Sequence, residues 1–184
     1  REPVEWNKCI RGAAPLCSDA PSRWRASEKT NPKQSINAMQ NLPTTETMSP
    51  VSVADVPDMI RAAHDAKQAI YTIGGGTSLE YGVAPTRTGY ALETTGLSRV
   101  VDYTPRDMTI VAEAGVRVRD LGQTLATEKQ QLPIDAPRAT EATIGGLVAS
   151  NWSGPRRYGY GTLRDYVIGI SAVDGRGVPF KGGG

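Results

Sequence analysis

Gly74-Gly75-Gly76 follows directly on the apolar run Ala69-Ile70-Tyr71-Thr72-Ile73, and a second pair, Gly145-Gly146, comes about seventy residues later. A five-residue apolar run closed by glycine reads as a buried strand ending in a tight turn. Without Cβ atoms the chain can pass through positive φ and present successive N–H groups with nothing in front of them. Such a nest suits a phosphate or pyrophosphate, and the hydroxyls of Thr77 and Ser78 add two further donors. Gly145-Gly146 falls at the front of a short apolar helix, Thr143-Ile144-Gly145-Gly146-Leu147-Val148-Ala149-Ser150-Asn151. That is a second place where bare N–H groups are expected to face outward. A tight turn uses glycine with or without a ligand, so GGG alone is ambiguous. The two motifs together point to a nucleotide cofactor.

The segments between them alternate helix and strand without a regular βαβ rhythm, which favours an α+β fold over a doubly wound sheet. Asp55 to Ala66 predicts an amphipathic helix capped by Ser52 or Asp55, with Pro57 in its first turn and Val56, Met59, Ile60 and Ala63 as its apolar stripe. His64, the single histidine, falls near the end of this helix among charged residues, on the surface. Strands are expected at Tyr90–Glu93, Arg99–Tyr103 and Met108–Ala114, separated by turn chemistry at Gly96 and at Pro105-Arg106-Asp107. Val118, Leu121 and Leu125 set a second helix. A short strand is expected around Leu132-Pro133-Ile134-Asp135. The last unit reads as a strand over Tyr166–Val173, a tight turn at Asp174-Gly175 and an edge strand over Gly177–Phe180.

Residues 1–48 differ: five prolines stand among polar and charged residues with no sustained apolar period. They are expected to form a disordered or irregular extension, or the edge of a fragment, with the folded domain over 49–184. The length of 184 residues is enough for one domain with a real core, perhaps in two small lobes. A single Phe leaves the core to aliphatic side chains. A net charge of +2 gives no argument for nucleic acid, and no apolar run approaches a membrane span. Cys9 and Cys17 are too sparse for a disulfide framework and have no second pair for a zinc site, so free thiols in a cytoplasmic protein are the expectation. No metal site is expected.

Other glycine motifs fail. A Rossmann fingerprint needs a third glycine where Leu79 stands, and a phosphate-binding P-loop needs Gly-Lys-Ser/Thr after the glycines. One surface histidine cannot build a Ser-His-Asp set.

What remains is an ordered series: Gly74–Ser78, Asp135-Ala136-Pro137, Thr143–Gly146, Asn151-Trp152-Ser153-Gly154-Pro155-Arg156-Arg157-Tyr158-Gly159-Tyr160-Gly161, and Arg164-Asp165-Tyr166-Val167-Ile168-Gly169. In this order the chain resembles the FAD-binding domain of the vanillyl-alcohol oxidase/p-cresol methylhydroxylase flavoproteins, over about Ser49 to Gly184. Within that family the wording of the last three segments is most similar to the FAD-binding subunits of glycolate oxidases. The resemblance implies a PCMH-type domain of two α+β lobes clasping FAD. It implies that Ile73, Gly74, Gly75, Gly76, Thr77 and Ser78 wrap the pyrophosphate, and that Thr143, Ile144, Gly145 and Gly146 lie by the pyrophosphate and flavin. It also implies that Asp135 belongs to the cofactor site, that Asn151, Ser153 and Gly154 follow the ribityl and ring region, and that the Ile168 backbone faces the adenine. Arg156, Arg157 and Arg164 are candidates for compensating charge, with one or two of them paired to Asp165 or Glu141.

The implied activity is FAD-dependent oxidation of a small 2-hydroxy acid such as glycolate or D-lactate, with partner subunits and the catalytic base outside this chain. An alditol or lactone oxidase, or a non-catalytic FAD-holding or scaffold subunit, is the alternative. Family members with a tethered flavin often carry a His near the glycine loop; Thr72 and Ile73 stand here, so noncovalent FAD is expected. Members continue beyond the equivalent of Gly184, so the domain is expected to be C-terminally incomplete.

Overall fold

The structure is a computed structural model, and it describes residues 42–183. Three strands form a parallel sheet: β1 (Thr44–Met48), β2 (Ala69–Ile73) and β3 (Gly89–Glu93), in the order β1-β3-β2. Helix α1 (Val56–Asp65) connects β1 to β2. It starts where expected: Ser52 N and the Asp55 carboxylate form a capping box at 2.7 Å, and Pro57 occupies the first turn. Ile60 and Ala63 are its buried residues, and His64 is exposed. Parallel neighbours need a crossover, which is usually helical. Between β2 and β3 the crossover is instead the glycine-bearing segment 74–88, so the GGG run leaves the carboxyl end of a parallel strand. Ligands of open sheets gather at that end.

Two antiparallel hairpins complete the fold. Strands β4 (Val100–Thr104) and β5 (Thr109–Ala112) are joined by a 3-10 turn at Pro105–Asp107. Strands β6 (Gly169–Val173) and β7 (Pro179–Gly183) turn around Asp174, whose carboxylate accepts from Arg176 N and Val178 N at 2.8 and 2.9 Å. This turn is tied to α1 by Arg61 Nη2 donating to Gly177 O at 3.2 Å. Helix α2 (Val118–Thr127) buries Leu121 and Leu125 with Val116 against Tyr103, Ile110 and Ala112 of the β4-β5 hairpin. Helix α3 (Ile144–Ser150) buries Leu147 with Ile134 and Leu163. A buried leucine of this kind stabilises by about 1.5–3 kcal/mol through removal of its apolar surface from water. Short α4 (Arg157–Tyr160) follows.

The α+β class holds, and three local expectations change. Thr44–Met48 lies inside the expected extension 1–48 yet pairs with β3, so ordered structure begins before residue 49; residues 1–41, with both cysteines, lie outside the described residues. Residues 132–135 form no strand. Pro133 has no N–H for a ladder, and Ile134 N and Ala136 N instead bond the carbonyls two residues back, at 2.8 and 3.1 Å. The segment is held by side-chain burial of Pro133 and Ile134, not by pairing. Strand β2, expected as buried, is buried only at Ile73 because it is a sheet edge.

Candidate functional site

The five backbone amides of Gly74 to Ser78 make no hydrogen bond to any described residue, and neither do the Thr77 and Ser78 hydroxyls. Gly76 has φ of 68°, the left-handed turn that three glycines permit. A cluster of unspent donors at a strand end fits an anionic diphosphate.

The two glycine motifs are packed on each other. A Cβ on Gly75 would overlap the backbone carbonyl oxygen of Glu141, and one on Gly74 would overlap Thr143 Oγ1. Thr143 is 2% exposed, and the same Oγ1 accepts from Gly146 N at 3.2 Å. This one hydroxyl therefore links the GGG loop to the start of α3.

The expectation of bare amides at the second motif is not met. Ile144 N donates to Val116 O at 2.9 Å, Gly145 N to Ala114 O at 2.8 Å, and Leu147 N to Thr143 O at 3.0 Å. With Gly146 N capped by Thr143, the whole first turn of α3 is spent on the protein. The turn through Ala114 and Gly115 and the following Val116 run beside it and take those donors. Gly145 is glycine because a Cβ would stand 2.7 Å from Ala114 Cβ. Gly146 is different: a Cβ there meets only Thr143 Oγ1, at 3.2 Å, and otherwise points into open space. The second motif thus offers a bare surface for close approach, and the first offers the donors.

A third group of contacts gathers the remaining segments. Trp152 Nε1 donates to Asp135 O at 2.7 Å, and its ring stacks on Tyr81 with centroids 5.9 Å apart and planes 5° from parallel. Asp135 in turn pairs with Arg156 through Nε at 3.0 Å and through the backbone N at 3.1 Å. Gly154, at φ 63°, lies close enough to Asp135 that a Cβ would approach its Cβ to 2.7 Å. The loop after the GGG run, the 132–137 segment and the exit of α3 are held together at this point.

Several sequence expectations are relocated. Arg156 pairs with Asp135, not with Asp165 or Glu141; Asp165 accepts from Thr162 N and Oγ1, and Glu141 faces Arg138. The Asp135 carboxylate is committed to Arg156. Ser153, 8% exposed, uses its hydroxyl to accept from Leu163 N at 3.3 Å. Asn151 is exposed and ends α3 in the left-handed conformation, φ 48°. Ile168 is 69% exposed with its carbonyl against Gly183, apart from the contacts that join the glycine segments. Arg138, Glu141, Tyr81 and Glu113 were not singled out as site residues. No sequence period marks them, because their partners lie on other segments. Two clefts, of about 440 and 550 Å³, lie beside α2, with Gly115 and Val116 in the wall of the first, and at the end of α1. Gly76 is buried, and Gly74, Gly75, Thr77, Ser78, Gly145 and Gly146 are half-buried.

Support beneath the site comes from Glu113. Its side chain is 4% exposed and accepts from Arg99 Nε, Nη2 and backbone N at 3.0, 2.7 and 2.9 Å. The Arg99 side chain, then the Arg99 amide, hold this carboxyl below its ordinary value near 4.5. The pair fixes the stretch leading into Ala114–Val116, on which α3 sits. The Thr162 amide and hydroxyl likewise hold the Asp165 carboxyl low.

The model of the family described as "FAD binding domain" matches residues 46–182. The chain is 33% identical to the D-lactate dehydrogenase of Archaeoglobus fulgidus, over 70% of this chain and 29% of the relative. It is 35% identical to the Escherichia coli glycolate oxidase subunit GlcE, over 53% of this chain and 28% of the relative. A solved structure, alkyldihydroxyacetonephosphate synthase, shares the fold with a TM-score of 0.65 at 22% identity, over 73% of this chain and 28% of that one. The chain spans under a third of the length of these proteins. It belongs to the FAD-binding domain family, of the PCMH type that its motifs resemble, and its cofactor is FAD.

Proposed function

We propose that this chain is the FAD-holding domain of an oxidoreductase that oxidises a small 2-hydroxy acid of the glycolate or D-lactate type. The observation that carries the cofactor half is the set of five unspent amides at Gly74–Ser78, set against the bare face of Gly146. Under this reading the first loop holds the diphosphate, Gly146 allows close approach, Asn151 and Gly154 border the ribityl and ring region, and the exposed backbone at Ile168 serves the adenine. Ser153, Asp135 and Gly145 act indirectly, by fixing these segments. When bound, FAD supplies the two-electron acceptor for conversion of an alcohol carbon to a carbonyl. The chain's own residues bind and orient it; no catalytic base is assigned to them.

The substrate half is supported by the relatives, which by name act on D-lactate or belong to a glycolate oxidase. Partner subunits are part of the proposal on the same ground, since GlcE is named a subunit. A cytoplasmic setting rests on the sparse cysteines of the sequence. No helix among the described residues is long and apolar enough to cross a membrane.

The test is a panel assay on the FAD-loaded protein with its natural partners. Reduction of an artificial electron acceptor is followed with glycolate, D-lactate, L-lactate, an alditol and an aldonolactone. Turnover confined to 2-hydroxy acids is expected. Turnover of the alditol or lactone alone would overturn the substrate class, and loaded protein inert toward all five would leave a non-catalytic FAD carrier.

A further inference from the structure

Five non-glycine residues have positive φ: Lys67, Met108, Lys129, Arg138 and Asn151. Four of them lie one or two residues past the end of a helix or a 3-10 turn, where a left-handed residue is the ordinary way to stop the winding. Arg138, at φ 50°, follows none. It opens the turn in which its carbonyl accepts from Glu141 N and Ala142 N, both at 2.8 Å. With no helix end to stop, this left-handed arginine is held by its turn, and non-glycine residues so held cluster at ligand sites.

The Arg138 side chain, 30% exposed, extends from this turn toward the GGG loop. Nη2 reaches Gly76 O at 3.4 Å, and Nη1 stands 3.6 Å from Glu141 Oε2. Both contacts are loose for a guanidinium, which carries five donors and bonds carboxylates best below 3 Å. Glu141 Oε2 is correspondingly buried with no hydrogen bond among the described residues. Beside this half-used cation lie the unspent amides of Gly74–Ser78. The arginine nearest in sequence to the expected charge role, Arg156, is held by Asp135.

We infer that Arg138 is a diphosphate-contacting residue of the cofactor site and that Glu141 competes with the diphosphate for its guanidinium. The inference rests on the FAD reading above. The planar fork of an arginine matches phosphate oxygens, and a short bidentate contact replaces two long ones. Glu141 keeps the guanidinium placed between the glycine segments until an anion with more oxygens arrives.

The test compares four full-length proteins: wild type, Arg138→Gln, Arg138→Gly and Glu141→Gln. Equilibrium FAD binding is measured by flavin fluorescence at several salt concentrations, together with the thermal midpoint. Arg138→Gln should weaken FAD by about tenfold and flatten the salt dependence of log Kd by roughly one charge. Arg138→Gly should lose as much affinity while its thermal midpoint holds or rises, because glycine relieves the positive φ. Glu141→Gln should bind FAD more tightly. Unchanged affinity in both Arg138 variants would overturn the inference, as would a loss of affinity with an unchanged salt slope, which marks a merely structural role. Weaker binding by Glu141→Gln would overturn its assignment as competitor. A wild type that binds no FAD would overturn the cofactor reading itself, and this inference with it.

Discussion

A glycine can be required for what it touches inside the protein or for what it leaves bare, and the two kinds sit side by side here. Gly75 packs against the Glu141 carbonyl, so a side chain there forces the two motifs apart, and Gly145 packs against Ala114, so a side chain there pushes α3 off Ala114. At Gly146 a Cβ would meet only the Thr143 hydroxyl, at 3.2 Å. Gly75→Ala is therefore expected to lose several degrees of thermal midpoint and FAD together. Gly146→Ala should change the midpoint far less than Gly75→Ala, because only the Thr143 hydroxyl must give by a few tenths of an ångström, while FAD binding weakens. Thermal melts with and without FAD check both. A Gly146→Ala protein with wild-type affinity would show that the α3 face does not approach the cofactor. Glu113 makes the second residue-scale prediction. Its carboxyl is held below its ordinary value, so its contribution to stability is complete above pH about 4.5 and fades as pH falls through the lowered folded value. Arg99 is largely exposed, so solvent screens the ion pair. Glu113→Gln should lower the urea midpoint at pH 7, and the difference from wild type should close at pH 3. A difference that persists at pH 3 would show that packing, not charge, explains the loss.

At the scale of elements, helices and hairpins were legible because their signals are local. Leu121 and Leu125 fall on one face of α2, and the Asp174 turn supplies its own hydrogen bonds, so each element declares itself within ten residues. Residues 132–135 failed because an apolar run with Pro133 can be buried without pairing, and period alone does not separate those cases. Strand β1 escapes a sequence reading because TTETM carries no apolar alternation; it pairs with β3 through the backbone ladder and the Thr45 hydroxyl, which donates to Gly89 O at 3.3 Å. The site shows the same division. Gly74–Ser78 announced a donor loop, and the structure leaves those donors unspent. The amides of Ile144 and Gly145 bond Val116 and Ala114, about thirty residues away, and nothing local marks those acceptors. Arg138 had no sequence signal beyond its charge. The Tyr81–Trp152 stack closes the element scale: Trp152→Leu removes both the ring contact and the bond to Asp135 O, so it should loosen the loop after GGG. Faster exchange of the Tyr81 amide, which donates to Ser78 O at 3.2 Å, with exchange in β4-β5 unchanged, is the expected readout. Uniform exchange changes would show that the stack is a general core contact.

For the whole molecule, the parallel sheet and the two hairpins act as a frame that sets three connecting segments side by side: 74–83, 135–146 and 151–156. None of these is a regular element for most of its length, and each is fixed by contacts to the others through Glu141, Thr143, Trp152 and Asp135. The frame explains how a chain under a third of the length of its relatives carries a recognisable cofactor face. The central claim is that this face holds FAD by its diphosphate and without a covalent bond. Titration of FAD into the purified protein, followed by acid precipitation of the saturated complex, tests it most directly. Saturable binding of one FAD per chain, with all flavin recovered in the acid supernatant, is the predicted result. Absence of saturable binding, or flavin retained in the precipitate, would contradict it.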